Sequence, residues 1–139
     1  MAQPMIWDDQ YRMGIDQLDR EHQTLFDHYN WLMESLANPT DDAAVTTAIV
    51  VAVLEEHATT HFEHEEALMV DSDYPHYIRH KMDHEAFMVE LHRLKSQVST
   101  GEAVLGELCR FLKTWLTSHI IIRDMAIVAH LRDRTRSAD

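Results

Sequence analysis

From Asp16 onward the apolar positions Leu18, Leu25, Phe26, Tyr29, Leu32, Met33 and Leu36 recur at steps of three and four. That period lines side chains along one face of an α-helix and predicts a first helix over 16–37. Asn38-Pro39 closes it, because a residue before proline is pushed out of the helical region. Thr40, followed by Asp41 and Asp42, reads as an N-cap with acids in the first turn and opens a second helix over 41–70. The turn Asp71-Ser72-Asp73-Tyr74-Pro75 stops it. A third helix fits 76–99, with Gly101 suited to the left-handed residue beyond its end. A fourth over 102–122 turns Val104, Leu105, Leu108, Phe111, Leu112, Trp115, Leu116 and His119 inward. Its end stays open, since Ile120-Ile121-Ile122 suits a strand equally well. Residues 1–15 form an arm without sustained helical period, and 125–139 a C-terminal segment, polar and frayed from Arg132. Four helices with one apolar stripe each and short loops predict an all-α, up-down-up-down antiparallel four-helix bundle in a single domain, 1–139.

Composition sharpens this picture. At 139 residues and 45% hydrophobic, the chain can bury one real core, and three glycines with three prolines supply little turn material for a β-sandwich. Net charge is −12, from 24 acidic against 12 basic residues. That balance repels phosphate backbones and anionic lipid, so neither nucleic acid nor a membrane surface is an expected partner. No apolar run approaches the ~20 residues of a membrane helix, so membrane insertion is not expected. The start, MAQPMIWDDQ, lacks the basic and apolar regions of a signal peptide. Cys109 stands alone, which permits neither an internal disulfide nor a thiolate cage and fits a reducing compartment. The expected location is cytoplasmic.

Histidine is the outlier, at 11 of 139 residues, and the histidines cluster. Residues four apart share a helix face. The second helix offers His57, His61 and Glu65 in that register, the third His76, His80 and His84. The first places His22 among Leu18, Leu25 and Phe26, and the fourth places His119 with Asp124 five residues later. Nitrogen and oxygen donors projecting inward from four helices can build a metal site, and a metal removes the cost of burying them. Several known patterns are absent. Leu68 follows His64-Glu65 and Met88 follows His84-Glu85 where a zincin needs its second histidine, Glu-x-x-His does not occur, and one cysteine cannot attach a c-type haem.

What remains is His61-Phe62-Glu63-His64-Glu65, His80-Lys81-Met82-Asp83-His84 and His119-Ile120-Ile121-Ile122-Arg123-Asp124, preceded by Asp19-Arg20-Glu21-His22. This set resembles the hemerythrins, and Trp7 with Gly14-Ile15-Asp16 resembles their bacterial branch. The resemblance spans Trp7 to Asp124 and implies two non-haem iron ions inside the bundle. It assigns His80, His84 and His119 to one iron, His22 and His61 to the other, and Glu65 with Asp124 as bridges beside an oxo or hydroxo bridge. Over two six-coordinate irons those ligands leave one position open, on the iron with two histidines, where dioxygen can enter. The resemblance also implies an apolar lining of Phe62, Trp115, Leu116 and Ile120, with Trp7 closing the pocket from the arm. A dry pocket keeps water and protons from ending the cycle.

Taken singly, these residues have plainer readings: His22 as a satisfied core histidine, Glu65 beside Glu66 as a solvated acidic face, and Asp124 beside Arg123 as an ion pair. Their joint order outweighs those. For His57, His64, His76, His28, His92 and His130 the plain reading stands, as it does for Cys109 as a small packing residue. The expected function is reversible dioxygen binding for storage, carriage or delivery to an oxygen-using enzyme, and not an enzymatic activity. Alternatives are an oxygen or redox sensor with a signalling partner, and a di-iron peroxidase, oxidase or nitric-oxide-handling protein. Iron storage ranks last, for want of a carboxylate-rich entry site. Sensing is expected to rank below carriage, since the family's sensing members usually carry an attached signalling domain and these 139 residues read as one bundle.

Overall fold

The computed structural model describes residues 4–38, 43–97 and 102–138. Helix α1 runs Asp16–Ala37, α2 Ala43–Asp71, α3 Tyr77–Lys95 and α4 Glu102–Ser118. A π-helical segment, His119–Asp124, leads without a break into α5, Met125–Ala138, and a one-turn 3-10 helix, Asp9–Tyr11, sits in the N-terminal arm. The expected cap at Thr40 and the glycine stop at Gly101 lie outside the described residues.

The four long helices form an antiparallel bundle. Across α1 and α2, Glu21 meets His61 and His28 meets His57, so numbers rise on one helix as they fall on the other. Glu66–His84 and Glu55–Lys95 show the same sense between α2 and α3, as do Arg93–Glu107 between α3 and α4 and Asp83–Arg123 between α3 and the π-helical segment that continues α4. Contacts between α1 and α4 close the ring. The core joins stripes the periodicity marks on α1 (Leu25, Phe26, Tyr29 and Leu32) and α4 (Leu105, Leu108 and Leu112) to Val50, Leu54 and Ala58 of α2 and Phe87, Leu91 and Leu94 of α3. Cys109 is buried among them, and burial pushes its thiol up to about 11, so it packs as a protonated small hydrophobe. No helix among the described residues is long and apolar enough to cross a membrane.

Two boundaries differ from expectation. Helix α3 ends at Lys95, not 99, where Ser96 and Gln97 form a turn. The larger difference is at the C-terminus. Residues 125–138 are helical, not a frayed tail, and Ile120-Ile121-Ile122 is neither strand nor ordinary α-helix. The reason is burial: Ile127 packs with Met69 and Tyr74, and Val128 with Met13 and Leu18, capping the end of the bundle that carries the histidines.

The arm is pinned to α1 at two points. Asn30 accepts from the Met5 N–H at 2.7 Å and donates to the Met5 carbonyl at 2.9 Å. The buried Asp19 carboxylate accepts from the N–H groups of Met13 (2.9 Å) and Gly14 (3.1 Å). Gly14 turns there at φ +85°, a conformation that costs glycine little.

Candidate metal centre

Each helix brings its donors inward by register. On α2, His61 and Glu65 are four apart and meet at 3.0 Å; on α3, His80 and His84 are four apart. His119 and Asp124 are five apart, which on an α-helix would set them about 140° around the axis. The π segment corrects this. Its wider turn, closed by the Met125 N–H bonding to the Ile120 carbonyl, brings His119 Nε2 within 3.0 Å of Asp124 Oδ1.

All seven donors expected from the sequence are buried and converge in two overlapping groups. Glu65, His80, His84, His119 and Asp124 form one; His22, His61, Glu65 and Asp124 form the other. Glu65 and Asp124, both fully buried, belong to both groups. Three histidines on one side, two on the other and two carboxylates between them is the arrangement that two neighbouring cations require.

The spacing is poorly explained by hydrogen bonds alone. His80 Nε2 lies 2.7 Å from Glu65 Oε1, 3.0 Å from His119 Nε2 and 3.1 Å from Asp124 Oδ1. One ring N–H cannot serve three neighbours. Both ring nitrogens of His22, Glu65 Oε2 and both Asp124 oxygens are buried without a well-formed hydrogen bond, and the nearest histidine nitrogens face the carboxylate oxygens at ion-pair distance only. Orphaned polar atoms cost about 1–3 kcal/mol each, so this cluster is unfavourable unless something fills it. Ligands at right angles about 2.1 Å from a metal stand about 3.0 Å apart, close to the separations seen here. The donor set therefore fits metal: imidazole and carboxylate suit iron, and bridging carboxylates suit a pair.

The electrostatics agree. Burial alone would lower the histidine pKa values, yet the hydrogen bond that His61 donates to Glu21, with the nearby carboxylates of Glu65 and Asp124, raises His61 to about 10. At His119, burial is likewise outweighed, chiefly by Asp124, and the value rises to about 9. His22 and His80 move upward for the same reason. Glu65 is held well below the carboxylate range, burial opposing and the histidines prevailing. The cavity thus favours positive charge, supplied either by protons or by cations that displace them.

Of the residues expected to line the site, Phe62 stacks on His84 with ring centroids 3.9 Å apart, and Trp115 stacks on His119 at 4.1 Å. Leu116 and Ile120 are buried in the same core cluster as Phe62. Trp7 lies over the α1 side, 6.4 Å from the His22 ring and 5.4 Å from Phe26.

Several contributing residues are ones the sequence reading passed over. Glu21 accepts from His61 Nδ1 at 2.8 Å and from His64 Nδ1 at 2.6 Å, and Glu66 accepts from His84 Nδ1 at 2.9 Å. A carboxylate on Nδ1 leaves Nε2 as the inward donor and fixes the ring. The signal was available: Glu21 precedes His22 by one residue and so turns toward α2, and Glu66 follows Glu65 toward α3. His28, which has only the plain reading from the sequence, meets His57 of the facing helix with ring nitrogens 2.8 Å apart.

Known proteins bear on this geometry. The hemerythrin HHE cation binding domain matches residues 13–131. A bacteriohemerythrin of Clostridium acetobutylicum is 30% identical over 122 residues, 86% of this chain and 95% of its own length. Myohemerythrin-1 of Phascolopsis gouldii is 31% identical over 124 residues, 89% of this chain and 92% of its own. A crystal structure of wild-type hemerythrin superimposes with a TM-score of 0.80 at 26% identity, covering 91% of this chain and 97% of that one. With the fold, the overlapping donor groups and the matched span in agreement, this chain belongs to the hemerythrin family.

Proposed function

We propose that this protein binds dioxygen reversibly at a non-haem di-iron centre with a solvent-derived oxo or hydroxo bridge. The observation that carries the reading is the pair of donor groups sharing Glu65 and Asp124. His80, His84 and His119 would hold one iron, His22 and His61 the other, and the two carboxylates would span both. When bound, the iron pair supplies the redox-active metal that takes up and releases dioxygen.

The chain's own residues supply positioning and exclusion. Glu21 and Glu66 hold the rings of His61 and His84 with Nε2 inward. The side with only two histidines is the one with ligand room to spare, and Trp7 lies over it. Phe62, Leu116 and Ile120 are buried, exclude water, and carry no proton to hand over. That lining favours reversible binding over turnover, so we read the protein as a carrier or store and not an enzyme. A single buried cysteine and the acidic surface support a cytoplasmic setting.

The test is an optical spectrum of protein reduced without air, exposed to air and then flushed with argon, with iron counted on the same sample. Two irons per chain and visible bands that appear in air and fade under argon are expected. Two irons whose spectrum changes once and never returns would overturn reversible binding while leaving the metal centre. A sample that takes up no iron would overturn both.

A further inference from the structure

Outside the core, one pair of metal-binding side chains stands apart from the seven donors. His28 on α1 and His57 on α2 meet with His28 Nε2 and His57 Nδ1 2.8 Å apart and ring centroids 4.9 Å apart. Neither residue belongs to either donor group of the core. A cavity of about 200 Å³ opens beside them, lined by Glu21, Thr24, Glu56, His57 and Thr60.

We infer that His28 and His57 form a separate surface site for one divalent late transition cation of the nickel, copper or zinc class. Two nitrogens 2.8 Å apart, carried on adjacent packed helices, match the bite of two imidazoles bound at right angles to one ion, about 3.0 Å for bonds near 2.1 Å. That angle suits tetragonal nickel or copper most directly; tetrahedral zinc needs the pair to open slightly. Burial and the neighbouring His57 hold the His28 imidazole below its ordinary value, which keeps it in the neutral form a cation needs. Glu56 and Glu21 put carboxylate charge along the adjoining cavity, and the hydroxyls of Thr24 and Thr60 can hold the waters that complete the cation's shell. Glu21, which lines this cavity together with His57, is also the carboxylate that accepts from His61.

The competing account is a plain imidazole–imidazole hydrogen bond with no affinity for metal. Calorimetric titration with Ni²⁺ separates the two, using the iron-loaded protein, its His28→Ala and His57→Ala variants, and His92→Ala as a control. His92 pairs with Glu55 elsewhere on the surface. The wild type and the control should bind one nickel per chain more than either variant of the pair, with the iron count unchanged throughout. Equal nickel stoichiometry and affinity in the wild type and both variants would overturn the site. Because the readout is a difference of one ion between proteins, it holds whether or not the core carries iron, and a failure here is distinct from a failure of the di-iron reading. Helical circular dichroism on each variant guards against loss of fold, to which the half-buried His28 and the exposed His57 should contribute little.

Discussion

The two ends of this bundle are equally buried and chemically opposite. At the end away from the clustered histidines, Leu32, Val50, Leu54, Leu91, Leu94, Leu108 and Leu112 are fully buried. At the other, Glu65 and Asp124 are just as fully buried, and His22, His61 and His84 nearly so. Burial is favourable in itself for the leucines, at about 25 cal/mol per Å² of apolar surface. It opposes the charged form of every carboxylate and histidine at the other end, which persist there only through one another or through bound cations. One end therefore holds the helices together, and the other uses that rigidity to keep costly groups in place.

The substitution that should break this comparison most severely is Glu65→Ala. Glu65 lies within ion-pair distance of all five core histidines and belongs to both donor groups. Its removal takes from the buried imidazoles the one carboxylate that all five share, a loss of roughly 3–5 kcal/mol by analogy with other broken buried pairs. Iron should be lost as well, and full iron occupancy in the variant would refute the assignment of this residue as a bridge.

Leu54→Ala should be next, at about 2–5 kcal/mol for a cavity in a fully buried site. Denaturant titration should show the same loss with metal present and with metal removed by a chelator. Chelation alone should act on the other end: amide exchange should quicken around 61–65, 80–84 and 119–124 and stay slow around 50–54, 91–94 and 105–112. A loss of protection spread evenly along the bundle would mean the two ends are not separable.

How much of this was legible beforehand follows the same division. The leucine end announces itself on α1 and α4 as a period of three and four, so their inward faces could be read directly, whereas α2 and α3 were placed by the turns that bound them. The seven residues that converge in the core were proposed as a set through the resemblance that their order along the chain carries, and the structure brings them together. The π segment was not. His119 and Asp124 look misregistered on an α-helix, and only the need to bring both to one point explains the wider turn. Helix α5 was missed because Arg132–Asp139 is polar and drew attention from Ile127 and Val128, which bury at the bundle's end. Glu21 and Glu66 were missed because a carboxylate beside a donor reads as solvated surface until the facing helix is in place.

Leu116→Ser probes the boundary between the two ends kinetically. Leu116 is 2% exposed in the core cluster that holds Phe62 and Ile120. A hydroxyl there should admit water and speed autoxidation several-fold with iron content unchanged. An unchanged rate would remove this residue from the pocket wall.

The smallest expected effect tests whether the arm belongs to the donor end. Gly14 sits at φ +85°, and a Cβ built there would meet nothing within 4 Å. Gly14→Ala therefore carries a conformational cost of about 1 kcal/mol and no steric one. The strain falls on the turn whose N–H groups bond to Asp19, while Asn30 still clamps Met5. Trp7 lies between these two anchors and packs on Phe26 and Tyr11. Loosening one anchor should alter Trp7 fluorescence and raise protease sensitivity over residues 12–15, with iron content held at the wild-type value. If iron content fell with it, the arm would be part of what keeps metal in the core, and not only a cover over His22.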